Sequence, residues 1–293
     1  MKRHPGGRTL MQDPTMVEPP EGLAGLLRRH QRAMGLPVRT FAARLGVSTS
    51  GAARLLRGEP APQGAVRAAC DYLARLPLLP DPPPGVVPLR DMDALVLAGG
   101  ESSRMGAAKP LLPFGETTLV GTVVARLRPF FRRVLVVSRE PGQAAGVTAD
   151  AVTDGREERG PLVGLVAGLR ASGAAWCFAV GCDMPSLDIS VIGLMASHIG
   201  ASEPGNVVVA HVGGRLQTLH AFYGRTCLRL GETLVGEGNT SLRALFPRCS
   251  VLTVAADLLR ALDPGLQSFR DIDTPADLEA ARQAAGLSSR EGA

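Results

Sequence analysis

With 293 residues and 45% hydrophobic content, the chain has material for about two domain cores, and it lacks the apolar run of ~18 residues that a membrane-spanning helix needs. Its formal charge of +5 points to anionic partners. The five cysteines, Cys70, Cys177, Cys182, Cys227 and Cys249, form no C-x-x-C pair, which speaks against a disulfide framework or a zinc site and suits reduced thiols in a cytoplasm. The opening MKRHPGGRTLMQDPTMVEPPEG carries charge without an apolar core, so it is not a secretory signal, and residues 1–21 are expected to be disordered.

Residues 22–79 read as a small helical domain. Apolar Leu23, Leu26, Leu27 and Met34 predict an amphipathic helix, and a second over 38–45 buries Phe41, Ala42 and Leu45. Gly46-Val47-Ser48 makes a tight turn with Ser48 as N-cap of a third helix ending at Gly58, and 63–76 gives a fourth. Nine arginines face only Glu59 and Asp71 across this region. The stretch LPVRTFAARLGVSTSGAARLLRG resembles the Cro/repressor-type helix-turn-helix family. The resemblance implies that Thr49, Ser50 and Arg54 face duplex DNA; a helical module that binds protein instead is the alternative. Six prolines between Pro77 and Asp93 predict a semi-extended linker over 80–92.

From residue 93 to 286 strand-like and helix-like stretches alternate. Strands are expected at 94–98, 134–138, 175–181, 207–211 and 250–254, and helices at 118–130, 161–171, 188–199, 226–235, 240–246 and 275–285, before a flexible tail over 287–293. Continuous apolar strands between helices predict an α/β fold with a mostly parallel, doubly wound, Rossmann-like sheet, whose ligands bind beyond the carboxyl ends of strands.

The first strand breaks into Gly99-Gly100, where side-chain-free backbone can cradle phosphate. Arg104 and Lys109 follow in the same loop. The chain has only two lysines, Lys2 and Lys109, among 32 basic residues, so a compact ammonium has been retained where arginine is otherwise the rule. Asp183, just after the third strand, can anchor Mg²⁺ beside a phosphate loop or simply start a turn before Pro185. Thr274 and Pro275 read as helix cap and first turn, leaving Asp271 and Asp273 for metal or ligand. Asp154 is either a turn former or an acceptor for nucleotide hydroxyl or N–H groups. Polar Gln217 and His220 interrupt a strand-like stretch, His220 being a core histidine or a ligand contact.

Taken in order, Leu97-Ala98-Gly99-Gly100, Arg104 and Lys109, Asp154 with Gly160-Pro161-Leu162-x-Gly164, Cys182-Asp183-x-Pro185, Gln217-x-Leu219-His220-Ala221 and Asp271-Ile272-Asp273-Thr274-Pro275 resemble the molybdenum cofactor guanylyltransferase family. The resemblance implies Mg²⁺-dependent transfer of GMP from GTP to molybdopterin. It assigns Leu97, Ala98, Gly99, Gly100, Lys109, Ser138, Asp154 and Asp183 to the nucleotide. Lys109, Arg104 and Asp183 would serve catalysis, and Asp183 and Asp273 the metal. Many members carry Asp before the loop lysine where this chain has Ala107-Ala108, and the closing Asp-Ile-Asp-Thr-Pro is nearer the sister cytidylyltransferases. CTP is therefore the alternative nucleotide, and a DNA-binding regulator with a nucleotide- or pterin-sensing domain the alternative function. Implied partners are GTP, molybdopterin, molybdoenzymes or other cofactor-biosynthesis proteins, and duplex DNA, with no membrane.

Overall fold

Four helices, α1 (Leu23–Ala33), α2 (Val38–Leu45), α3 (Thr49–Arg57) and α4 (Gln63–Arg75), form the N-terminal unit of the computed structural model. That model describes residues 16–99, 108–140, 142, 146–153, 155, 158–200 and 206–287. Gly46 closes α2 in the left-handed conformation at φ 71°, and the Ser48 hydroxyl accepts from the Gly51 N–H at 3.1 Å, so α3 starts where its cap dictates. Phe41, Leu45, Ala52 and Leu55 share one core with Leu23 and Leu27 of α1 and Leu73 of α4. Met16–Val17 pairs antiparallel with Ala61–Pro62, so residues 16 and 17, expected to be disordered, are anchored.

The remainder is an α/β sandwich. Its strands are β1 (Asp93–Leu97), β2 (Arg133–Ser138), β3 (Asp150–Thr153), β4 (Trp176–Gly181), β5 (Val207–Val212), β6 (Arg215–Gly224) and β7 (Val251–Ala255). They lie in the order β7-β5-β6-β4-β1-β2-β3, and only β6 runs against its neighbours. Side chains alternate between faces. Leu95, Leu97, Leu135 and Val137 pack under α6 (Pro161–Ser172) and α8 (Cys227–Gly236). Ala94, Val96, Val134 and Val136 join the other core, beneath α5 (Leu119–Leu127) and α7 (Ile189–Ala196). Asp93 is fully buried at the start of β1, but Arg132 holds it bidentately at 2.8 Å twice and the Ser172 hydroxyl donates at 2.7 Å. Its role is structural.

The proline stretch differs from the expected linker. Val86, Leu89 and Met92 are buried, and Val86 bridges to Gly200. The cause lies in α7, every residue of which from Val191 to Ala196 is buried: an all-apolar helix needs cover on both sides. The sheet covers one side and α4 the other, where Gly193 meets the carbonyl of Ala74 so closely that a Cβ would collide with it. Arg29 of α1 donates to the Ser197 and His198 carbonyls, the latter at 3.1 Å, and His30 Nε2 bonds the Ser197 carbonyl at 3.2 Å. These groups satisfy the carboxyl end of α7, where cations are favoured. Burial pulls His30 and His198 down to about 4, helped by the Arg29 charge, so both are neutral at physiological pH.

Candidate functional site

Strand β1 is stitched on both sides at its carboxyl end: Ala98 N–H donates to the Val137 carbonyl at 2.8 Å, and Cys182 N–H to the Leu97 carbonyl at 3.1 Å. Beyond these ends opens a cleft of about 720 Å³. Leu97, Ala98, Gly99, Lys109 and Asp183, all expected nucleotide contacts, line it. Gly100, Arg104 and Asp154 lie outside the described residues.

The chain re-enters at Ala108, and Lys109–Leu111 forms one tight helical turn that points Lys109 at the strand ends. Its Nζ donates to Asp183 Oδ2 at 2.7 Å and to Asp273 Oδ1 at 2.9 Å. Burial alone would lower the ammonium's pKa, but the hydrogen bonds and charges of the two aspartates outweigh it and hold Lys109 above the usual lysine range. The carboxylate that the loop itself lacks, with Ala108 before the lysine, is thus supplied twice from elsewhere in the fold.

Local structure explains how two distant aspartates meet. Asp183 follows β4 by two residues, and at Gly181 a Cβ would strike Asp183 Oδ1, so glycine there lets the carboxylate fold back over the strand end. Ile272 N–H donates to the Asp183 carbonyl at 3.0 Å, which brings Asp271 and Asp273 alongside. Thr274 and Asp277 form a reciprocal capping box at the start of α9 (Pro275–Ala284). The cap needs neither carboxylate, as the sequence implied, and Asp273 is left for Lys109. Burial raises the Asp271 carboxyl above the ordinary aspartate range, with the charges of Asp273 and Asp183 reinforcing it.

Helix α6 begins at the cleft. Gly160 has φ 147°, and a Cβ there would lie 2.6 Å from Thr240 Cβ and 2.7 Å from its carbonyl oxygen. Only glycine lets this helix start, positive end toward the cleft, reach its place.

Three polar residues singled out in the sequence, one of them an expected nucleotide contact, make their contacts outside the cleft lining. Ser138 is buried and its hydroxyl donates to the Glu140 carbonyl at 2.9 Å, closing the turn after β2; its neighbours Arg139 and Glu140 line the cleft instead. His220 is fully buried between Phe178 and Phe269, with centroids 5.1 and 4.3 Å away, and neither ring nitrogen has a partner among the described residues. It is a core histidine, pulled down to about 4 by burial. Leu219 beside it reaches the cleft, while Gln217 donates to the Val212 carbonyl at 3.3 Å.

Arg159 also lines the cleft and was not singled out from sequence. Position was the available signal, since Arg139 and Glu140 directly follow a strand and Arg159 directly precedes the Gly160 cap of α6.

Of the implied DNA contacts, Thr49 and Ser50 are exposed, whereas the Arg54 guanidinium donates to the Pro60 carbonyl. Arg57 is paired with Glu59 at 2.6 Å.

The donor set suits a hard cation: the carboxylates of Asp183 and Asp273 converge on one ammonium. Among the described residues no group of three or more His, Cys, Asp or Glu could by itself hold a metal. A cation bound by Asp183 and Asp273 would therefore draw its other ligands from water and substrate phosphates, as Mg²⁺ commonly does. The Cys182 thiol in the cleft wall is pushed above the cysteine range by burial and is no nucleophile.

Glycine backbone lining the cleft at one strand end, with lysine and carboxylates at the next, is the equipment of an α/β nucleotidyltransferase. The sequence pattern of the MobA-like NTP transferase domain matches residues 94–253, and the chain belongs to that family. It is 33% identical over 197 residues to the molybdenum cofactor guanylyltransferase of Desulfosudis oleivorans, covering 66% of this chain and 96% of that one. It is 35% identical over 200 residues to the probable molybdenum cofactor guanylyltransferase of Mycolicibacterium paratuberculosis, with 65% and 94% covered. The fold is shared with molybdopterin-guanine dinucleotide biosynthesis protein A from Archaeoglobus fulgidus, at TM-score 0.59 and 24% identity over 67% of this chain and 99% of that chain. The four N-terminal helices lie outside the matched span.

Proposed function

We propose that the chain is a molybdenum cofactor guanylyltransferase, transferring GMP from GTP to the phosphate of molybdopterin with release of pyrophosphate. The observation that carries this reading is the convergence of Lys109, Asp183 and Asp273 at the cleft beyond β1 and β4. A phosphate oxygen of molybdopterin bonds to the α-phosphorus of GTP as the bond to pyrophosphate breaks. Such transfer needs charge neutralisation and in-line placement rather than a strong base or a covalent side chain. The backbone of Leu97, Ala98 and Gly99 seats base and phosphates, and Lys109 neutralises phosphate charge. Asp183 and Asp273 would hold Mg²⁺, which supplies positive charge to the phosphates. Ser138 acts by shaping the turn that presents Arg139 and Glu140. Gly100, Arg104 and Asp154 keep their family roles on sequence grounds. The product would pass, in the cytoplasm, to molybdoenzymes or other cofactor-biosynthesis proteins. Pyrophosphate release should require Mg²⁺ and molybdopterin together and favour GTP over CTP. A preference for CTP would make it a cytidylyltransferase, and no release with either nucleotide would remove the assignment.

A second reading concerns the N-terminal helices. The α2–Gly46–α3 corner with exposed Thr49 and Ser50 supports a helix-turn-helix that meets duplex DNA. Titration of the full chain with a duplex should then show an affinity that falls steeply with salt. Absence of binding at low salt would leave the unit as a scaffold for α7 or a protein-binding module.

A further inference from the structure

We propose that Lys109 and a divalent cation are alternative occupants of the Asp183–Asp273 pair, so that the ammonium closes the cation site until a nucleotide draws the lysine away. This rests on the reading of Asp183 and Asp273 as metal ligands given above.

The geometry leaves room for one cation. A single nitrogen stands 2.7 Å from Asp183 Oδ2 and 2.9 Å from Asp273 Oδ1, so one ammonium takes up both carboxylates that would hold Mg²⁺. A second positive charge beside the first would be repelled in a site where the Lys109 and Asp183 side chains are only 19% and 23% exposed. The lysine can also leave. Its flexible four-carbon stem starts from a wall of the same cleft, where the glycine backbone and the N-terminus of α6 await a polyphosphate. Once the ammonium moves to the phosphates, it uncovers two carboxylates for the metal those phosphates bring. Cation and nucleotide therefore enter as one event, and the nucleotide-free protein keeps a low affinity for free divalent ions.

Mn²⁺ binding to the full-length, nucleotide-free protein, followed by the loss of free-ion electron paramagnetic resonance signal, tests this. Lys109→Met should bind Mn²⁺ at least about tenfold more tightly than the unsubstituted protein. Adding Asp183→Asn to that variant should cancel the gain, and Lys109→Arg, which keeps the charge, should bind as weakly as the unsubstituted protein. Melting curves for each variant establish that it is folded. Equal Mn²⁺ affinity in folded Lys109→Met and unsubstituted protein overturns the exchange. If Asp183→Asn still raises the Mn²⁺ concentration needed for pyrophosphate release, the metal-ligand reading survives that failure. If it does not, both fall.

Discussion

Asp183→Asn should lower kcat/KM for GTP by about 10³-fold, roughly 4 kcal/mol of transition-state stabilisation, while the protein stays folded. The substitution preserves shape and leaves the backbone bond from Ile272 N–H to the Asp183 carbonyl, which docks the Asp271–Asp273 segment. What it removes is charge. Lys109 loses its less exposed carboxylate partner and keeps Asp273, whose side chain is 59% exposed and more strongly screened, and a cation held by the pair would lose the same anchor. In a reaction driven by electrostatic placement, no other carboxylate among the described residues bonds the Lys109 ammonium from a strand end. Steady-state kinetics with varied GTP and Mg²⁺, alongside circular dichroism, read the effect. Activity within about fivefold of the unsubstituted protein would show that Asp183 only shapes the turn before Pro185.

Gly193→Leu should destabilise the protein by about 3 kcal/mol or more and loosen the N-terminal helices before the sheet melts. At Gly193 any Cβ meets the carbonyl of Ala74, a backbone atom that cannot rotate away, so α4 and α7 must separate. Separation exposes the outer face of an all-apolar helix and strains the Arg29 and His30 bonds to the Ser197 and His198 carbonyls. Urea unfolding measures the loss, and hydrogen exchange along α1–α4 shows where it falls. A midpoint unchanged to within about 0.5 kcal/mol would mean that the helices and the transferase domain are not coupled through this contact.

Much of this architecture was legible in the residues. Continuous apolar runs marked β1, β2 and β4, and Ser48, Thr274 and the Gly46 and Gly58 stops fixed helix ends through chemistry internal to a few residues. One strand escaped and another was read only as an interrupted strand-like stretch. Edge strand β3 is short and largely exposed, so it carries little hydrophobic signal. Strand β6 contains an irregularity between Leu216 and Ala221 that breaks its alternation. The largest departure, a docked helical unit in place of a tethered one, left a trace in the sequence of α7, which has no polar face to turn toward water.

The site divides the same way. Lys109 stood out by composition and Asp183 by its place after a strand, but their direct contact is a tertiary fact. So is the arrival of Asp273, which depends on a backbone bond across the fold. Ser138 was the reverse case: a small polar residue at the right strand end whose hydroxyl is taken up by the next turn.

The central assignment is tested most directly by incubating the protein with Mg²⁺, molybdopterin and GTP radiolabelled on the α-phosphate. The label should move to molybdopterin, with an equal amount of pyrophosphate released and no transfer when molybdopterin is omitted. Label that stays in GTP, or that moves only when labelled CTP is supplied, would contradict a guanylyltransferase.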